Sequence, residues 1–238
     1  MQSVVTIVAS RARTPRIEAR GGLAVRRTGA HRVHLIGSAA TPLGGDTIEV
    51  RIVVEAGARL EVCTVAASVA LPGRITDVSH ARWSLEVHDG GNLVFDPEPT
   101  IVAGSAEHHS TVGLHLGTGS RAVVRERVQL GRTGEHLARW TGTFDVDTGT
   151  TPVLRHRLDL GPGADGHDAL FAPMAAMSTL TCPSTALPDA TGDVRSGLHT
   201  TMPMAGGGTL STWLGHRLPV VQPARLAPAD SAEDGSAP

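Results

Sequence analysis

At 238 residues, 40% hydrophobic and only 3% aromatic, the chain fits one large domain whose core must be filled by Val, Leu and Ala. All 21 basic residues are Arg, which excludes Schiff-base lysine chemistry and a P-loop Lys, and no Gly-rich phosphate loop of that type occurs. A net charge of −2 without a basic block, and few aromatics to stack on bases, argue against a nucleic-acid partner.

In chain order, Val4–Ala9, Arg16–Ala19 and His31–Ile36 read as opening strands. Pro42, Gly44 and Gly45 mark a turn between Ser38 and Asp46. A strand-like run, a glycine turn and a second strand-like run then recur four times. The units are Asp46–Val54 with Arg59–Val65, Ala81–His88 with Asn92–Phe95, Ser110–Leu116 with Arg121–Leu130, and Arg139–Asp147 with Thr151–Leu160. Their turn glycines are Gly57, Gly91, Gly119 and Gly149, at spacings of 34, 28 and 30 residues. Within the runs apolar residues alternate with polar ones, as in Trp83, Leu85 and Val87 against Ser84, Glu86 and His88, the mark of half-buried strands.

The expected fold is therefore mainly β, a β-helix-like stack of hairpins, with one or two short helices near the C-terminus. Residues 66–80 read as a loop, Gly161–Gly166 as a linker, and Asp168–Thr181 is ambiguous between strand and helix. Leu187–Leu198 is a candidate short helix, and Gly208–Leu214 a candidate last strand. This divides the chain into a repeat core (1–160), a smaller α+β part of the same domain (161–222) and a disordered tail (223–238).

Cys63 and Cys182 lack the paired spacing of a zinc or redox motif. Cys63, on an alternating strand, reads as a small core or near-core residue. The segment Met1–Ser10 lacks a cleavage pattern, and no apolar run approaches about 20 residues, so a cytoplasmic chain with no membrane partner is expected. Of the 12 histidines, His108 and His109 are the only adjacent pair. His31 with His34, His88 with Asp89 and His167 with Asp168 are loose clusters, and none forms a close-spaced ligand set.

Four short motifs stand apart from this frame: Leu43-Gly44-Gly45-Asp46, Thr64 followed by Ala66, Ala67 and Val69, Asp96-Pro97-Glu98-Pro99-Thr100-Ile101, and Gly131-Arg132-Thr133-Gly134-Glu135. Each has a plain structural reading. Asp46 would cap its turn, Glu98 would be an exposed loop carboxylate, and Arg132 and Glu135 would pair across a turn. In order, and with Ala56–Leu60, they resemble the UreD (UreH) family of urease accessory proteins between His31 and Leu160. The Gly-Arg-x-x-Gly-Glu pattern is one residue shorter here, and residues 161–220 match more weakly.

That resemblance implies a β-helix-like fold with two helices and a non-enzymatic chaperone. Its partners would be the urease apoenzyme, UreF and the GTPase UreG, in a dimer of heteromers, with nickel in transit rather than held as a cofactor. It places Asp46, Glu98 and Glu135 along a metal route, with Thr64 and Ser68 as additional oxygens. Gly44, Gly45, Pro99, Gly131, Arg132 and Gly134 are its structural positions. A conduit needs weak, exchangeable oxygen ligands, because a tight cage would trap the ion. The alternative from another class is a β-solenoid enzyme acting on carbohydrate, with carboxylates such as Asp46 and Glu98 as an acid/base pair.

Overall fold

The computed structural model describes residues 1–183, 197–204 and 206–226. Its strands are β1 (Gln2–Ser10), β2 (Arg13–Arg20), β3 (Leu23–Gly29), β4 (Arg32–Gly37), β5 (Thr47–Val54), β6 (Arg59–Thr64), β7 (Ser68–Ala70), β8 (Val78–Val87), β9 (Asn92–Asp96), β10 (Thr100–Val102), β11 (Glu107–Leu116), β12 (Arg121–Leu130), β13 (Arg139–Thr148), β14 (Thr151–Leu160), β15 (Ala175–Cys182), β16 (Gly197–Pro203) and β17 (Thr209–Gly215). They form two sheets, ordered β14-β13-β11-β8-β5-β1-β2 and β16-β17-β15-β12-β9-β6-β4-β3. The short strands β7 and β10 extend the second sheet beside the distal half of β12.

The period is that of a β-solenoid, but the pairing differs from the expected hairpins. In the first three units the chain leaves one sheet at the glycine turn and enters the other, so β5 and β6 lie in different sheets, as do β8 and β9, and β11 and β12. Hydrogen bonds run between successive coils, and the coils are parallel: β5 on β8, β8 on β11, β6 on β9 and β9 on β12. Only the fourth unit, β13 with β14, is an antiparallel hairpin. Alternation fixes which face of a strand turns inward, but it does not say whether the strand's partner is the next run or the next coil.

The turns stack as well. Gly57 N–H donates to Asp89 O at 2.9 Å, and Gly90 N–H to Thr118 O at 2.9 Å. In the second turn the left-handed residue is Gly90 (φ 65°), one position before the expected Gly91. Gly91 is required for space instead, since a Cβ there would lie 2.8 Å from His88 O.

Inward-facing Ile52, Leu85, Leu114, Phe144, Leu60, Leu93, Phe95 and Val124 pack between the sheets in the main core. A second apolar cluster, with Val102, Val128, Leu130, Trp140 and Leu160, fills the end toward β10. Strands β15, β17 and β16 continue the second sheet antiparallel from β12. The ambiguous stretch thus resolves into a 3-10 turn at Asp168–Leu170 followed by β15. Of the candidate helix Leu187–Leu198, residues 187–196 lie outside the described residues, while Gly197 and Leu198 open β16. The 3-10 turn is the one helical element among the described residues.

Candidate functional site

The motif residues are corner fittings of the solenoid. Asp46, just before β5, is buried, and its carboxylate accepts from Leu43 N–H at 2.9 Å, from Thr41 Oγ1 at 2.9 Å and from the Met1 nitrogen. Burial opposes its charge, yet these donors outweigh it and hold Asp46 below the usual carboxylate range. Gly44 fits so closely that a Cβ would lie 1.8 Å from Thr76 O, and Gly45 has φ 90°.

At the corner between β12 and β13, the Glu135 carboxylate pairs with the Arg132 guanidinium at 2.5 Å. It also accepts from the amides of Arg132 (2.9 Å) and Gly104 (2.8 Å). The Arg132 side chain, then those amides, draw its pKa down to about 2. Gly131 and Gly134, both with positive φ, shape that turn, and Gly131 N–H donates to Val102 O at 2.7 Å. Glu98 is the most exposed of the three carboxylates, 3.8 Å from Arg127 Nη2, and its amide donates to Thr64 Oγ1 at 2.8 Å. Pro99 O accepts from Ser68 N–H at 3.0 Å.

The structure therefore joins Thr64 to Glu98, Ser68 to Pro99, and Arg132 to Glu135. Among the described residues no three His, Cys, Asp or Glu side chains are gathered as a ready metal site. Asp46 and Glu98 also sit in unlike settings. Asp46 is enclosed by donors that keep it ionised, a setting unsuited to a general acid, so within an Asp46–Glu98 acid/base pair it would not be the proton donor.

The most unusual chemistry lies where sequence reasoning did not look. Along β12 the inward positions are Ala122, Val124, Glu126, Val128 and Leu130, so a carboxylate stands on the apolar face between the two core clusters. Burial pushes Glu126 up to about 7, against a hydrogen bond with Ser110. Its Oε2 is enclosed without a partner, although other atoms of the residue stay partly accessible. Opposite, on β11 and β8, His108 Nδ1 and Ser79 Oγ are 2.9 Å apart, both residues buried. Burial first, then His109 and His80, lower His108 to about 4. Ser79, His108, Ser110 and Glu126 thus form a polar layer across the interior. The signal was available: Glu126 breaks an otherwise apolar alternation on β12.

On the outer face of the second sheet, Asp96 bridges Arg125 (3.3 Å) and Arg127 (3.2 Å). Pro223–Leu226, expected to open the disordered tail, lie against this cluster. Ala224 is buried against Val94 and Val123, its amide donates to Asp96 Oδ2 at 2.8 Å, and Arg125 donates to Gln222 O at 2.9 Å. Residues 227–238 of that tail lie outside the described residues. Both cysteines are free thiols, and burial raises each to about 11. Cys182 packs in the main core, whereas Cys63 is half-buried beside Glu61 on the outward side of β6 rather than in the core.

Fold and site together define a two-sheet parallel β-solenoid with capped corners and a polar layer through its core. The profile of the family described as "UreD urease accessory protein" matches residues 4–222, and the chain belongs to that family. The match extends well beyond the His31–Leu160 region that carried the resemblance. Among curated relatives, urease accessory protein UreD 1 of Saccharopolyspora erythraea is 43% identical over 60% of this chain and 56% of its own length. The UreD protein of Streptomyces avermitilis is 42% identical over 64% of this chain and 62% of its own length. That of a Parafrankia species is 36% identical over 78% of this chain and 71% of its own length. The chain thus covers less than two thirds of the first two. No described helix is long and apolar enough to cross a membrane.

Proposed function

We propose that this chain is a urease maturation factor, a non-enzymatic scaffold that binds the urease apoenzyme and recruits UreF and UreG for nickel insertion. The observation that carries the reading is the family match over residues 4–222. The geometry is compatible with a scaffold. The broad outer faces of two sheets offer docking area, and the carboxylates proposed from sequence serve turns rather than a catalytic pair.

The nickel path is part of the same proposal. Asp46 and Glu135 already spend their oxygens on backbone amides, so a passing ion must compete with those donors. Glu98 keeps an exposed carboxylate 3.8 Å from Arg127 while its amide donates to Thr64 Oγ1, and Ser68 lies on the adjoining β7. The interior layer adds Glu126, whose enclosed oxygen has no partner, together with neutral oxygens from Ser79 and Ser110. Such weak oxygen donors suit an ion in transit.

The test is complementation of a urease-positive host lacking its own UreD, with tagged chain for recovery of partners. Urease activation and co-purification of UreF with apo-urease are expected. A folded chain that recovers neither partner and restores no activity refutes the scaffold role. Restored activity that is unchanged by Glu98→Ala with Glu126→Gln refutes the nickel path alone.

A further inference from the structure

Parallel register places His80 on β8 directly beside His109 on β11, both on the outer face of the first sheet. The two imidazole centres are 5.2 Å apart, with the ring planes tilted by 41°. Two imidazoles bound to one ion through nitrogen–metal bonds of about 2.1 Å place their ring centres roughly 5 Å apart. The spacing of the pair, set by the pairing of neighbouring strands, is compatible with two ligands on a common ion.

A second feature points the same way. Glu107, two residues before His109 and on the same face, holds an oxygen 2.7 Å from His109 Nε2. An ionised carboxylate only accepts, so Nε2 carries the hydrogen and the neutral ring keeps its lone pair at Nδ1. A carboxylate that fixes the tautomer of a histidine in this way is the usual outer support of a metal-bound imidazole. Glu107 is itself steadied by Arg139 at 4.0 Å. The neighbours on either side of the histidines along this row are threonines, Thr47 on β5 and Thr141 on β13, so no basic side chain occupies the adjoining position.

We propose that His80 and His109 form a surface site for a divalent first-row transition ion, with Glu107 as the positioning residue and water or a partner's side chain completing the coordination. Two imidazoles with open positions make an exchangeable site rather than a cage. Imidazole suits nickel, zinc and copper, whereas oxygen-seeking magnesium and calcium should be refused. The site stands apart from the urease reading, because its test reads metal binding alone.

Tag-free, metal-stripped protein is titrated calorimetrically with nickel(II) or zinc(II) chloride, and magnesium chloride serves as the comparison. One site per chain for nickel or zinc is expected, with none for magnesium. His80→Ala and His109→Ala should each weaken binding at least tenfold, and Glu107→Gln by about tenfold, the range seen for lost outer-shell partners. His88→Ala, another exposed histidine at a distant turn, should bind as the parent does. All of these positions lie at the surface, and circular dichroism confirms that each variant is folded. Absence of nickel and zinc binding overturns the proposal, as does parental affinity in a His80→Ala/His109→Ala double variant.

Discussion

Glu126 and His108 face each other's sheets from within the core, and their titrations act on stability in opposite directions. The Glu126 carboxyl has a folded pKa of about 7, above its unfolded value. Between roughly pH 4.5 and 7 the folded state holds more protons at this site, so its contribution to stability falls as pH rises. His108 has a folded pKa of about 4, below its unfolded value. Between about pH 6.5 and 4 the unfolded state holds more protons at this site, so its contribution falls as pH drops. In the parent protein the two slopes largely offset one another from about pH 4.5 to 6.5. Glu126→Gln removes one of them, and urea midpoints should then rise with pH across that window. His108→Asn removes the other, and the midpoints should fall with pH. Parallel profiles in all three proteins would contradict the assigned protonation states. At the corner, Glu135→Ala frees the amides of Gly104 and Arg132 and leaves Arg132 unpaired. A lower melting temperature is expected by calorimetry, with retained far-ultraviolet circular dichroism.

Single side chains reach the fold through the elements they fasten, and Asp96 fastens several at once. It closes β9, pairs with two arginines of β12 and receives the amide of Ala224, 128 residues further along the chain. Asp96→Ala would leave the mostly buried Arg125 without its carboxylate and Arg127 with Glu98 alone at 3.8 Å, a change that costs up to about 3–5 kcal/mol. Asp96→Asn keeps an acceptor for Ala224 and should cost less. Urea denaturation ranks the three proteins, and limited proteolysis near the exposed Val220 should accelerate in the order parent, Asn, Ala. A strand-core change makes a useful comparison. Leu114→Ala, fully enclosed between the sheets, should lose about 2–5 kcal/mol without altering that proteolysis.

The elements also show what was legible in the chain. Runs such as Val112, Leu114 and Leu116 declare a strand and its inner face without help. The pairing partner was not legible, because a turn at Gly57 or Gly119 serves a hairpin or a crossing between sheets equally well. β3 escaped notice, for only Leu23, Ala24 and Val25 of it are apolar and its outer half is solvated. The composition of the last residues spoke for disorder, and nothing local announces that Arg125 and Asp96 will hold Gln222 and Ala224. Of the site, Asp46, Glu98 and Glu135 could be picked out by motif, but their hydrogen-bond partners could not. Glu126 was visible as a polar break in the alternation of β12.

For the whole molecule, a solenoid differs from a closed domain in how much flat surface it leaves. Parallel coils bury the space between the two sheets, while among the described residues the outer face of the first sheet stays uncovered and that of the second is covered in part by Gln222–Leu226. The outer face of the first sheet is well solvated, with pairs such as Arg51–Glu86 and Arg157–Asp159 crossing or lining its strands. Apolar exposure lies elsewhere. Ile75 is fully exposed and Leu137 is 68% exposed, on the loops that precede β8 and β13, and Val65 is 60% exposed just past β6. Leu198 and Met202 are exposed on β16, the edge of the second sheet. Among the described residues nothing pairs with the outer side of β16, and an edge strand carrying apolar side chains is prone to self-association. If the chain works as a scaffold, these positions are where partners remove apolar surface from water, and the isolated protein should aggregate more than its charge implies. Co-expression with a UreF protein should raise the soluble fraction. Ile75→Ser with Leu137→Ser should raise it without the partner, and should weaken capture of that partner if the two side chains contact it. Fractionation of lysates with and without UreF measures the first effect, and pull-down of the variant measures the second. Equal solubility in every case would mean that the exposed side chains are ordinary surface and would remove this support for a scaffold.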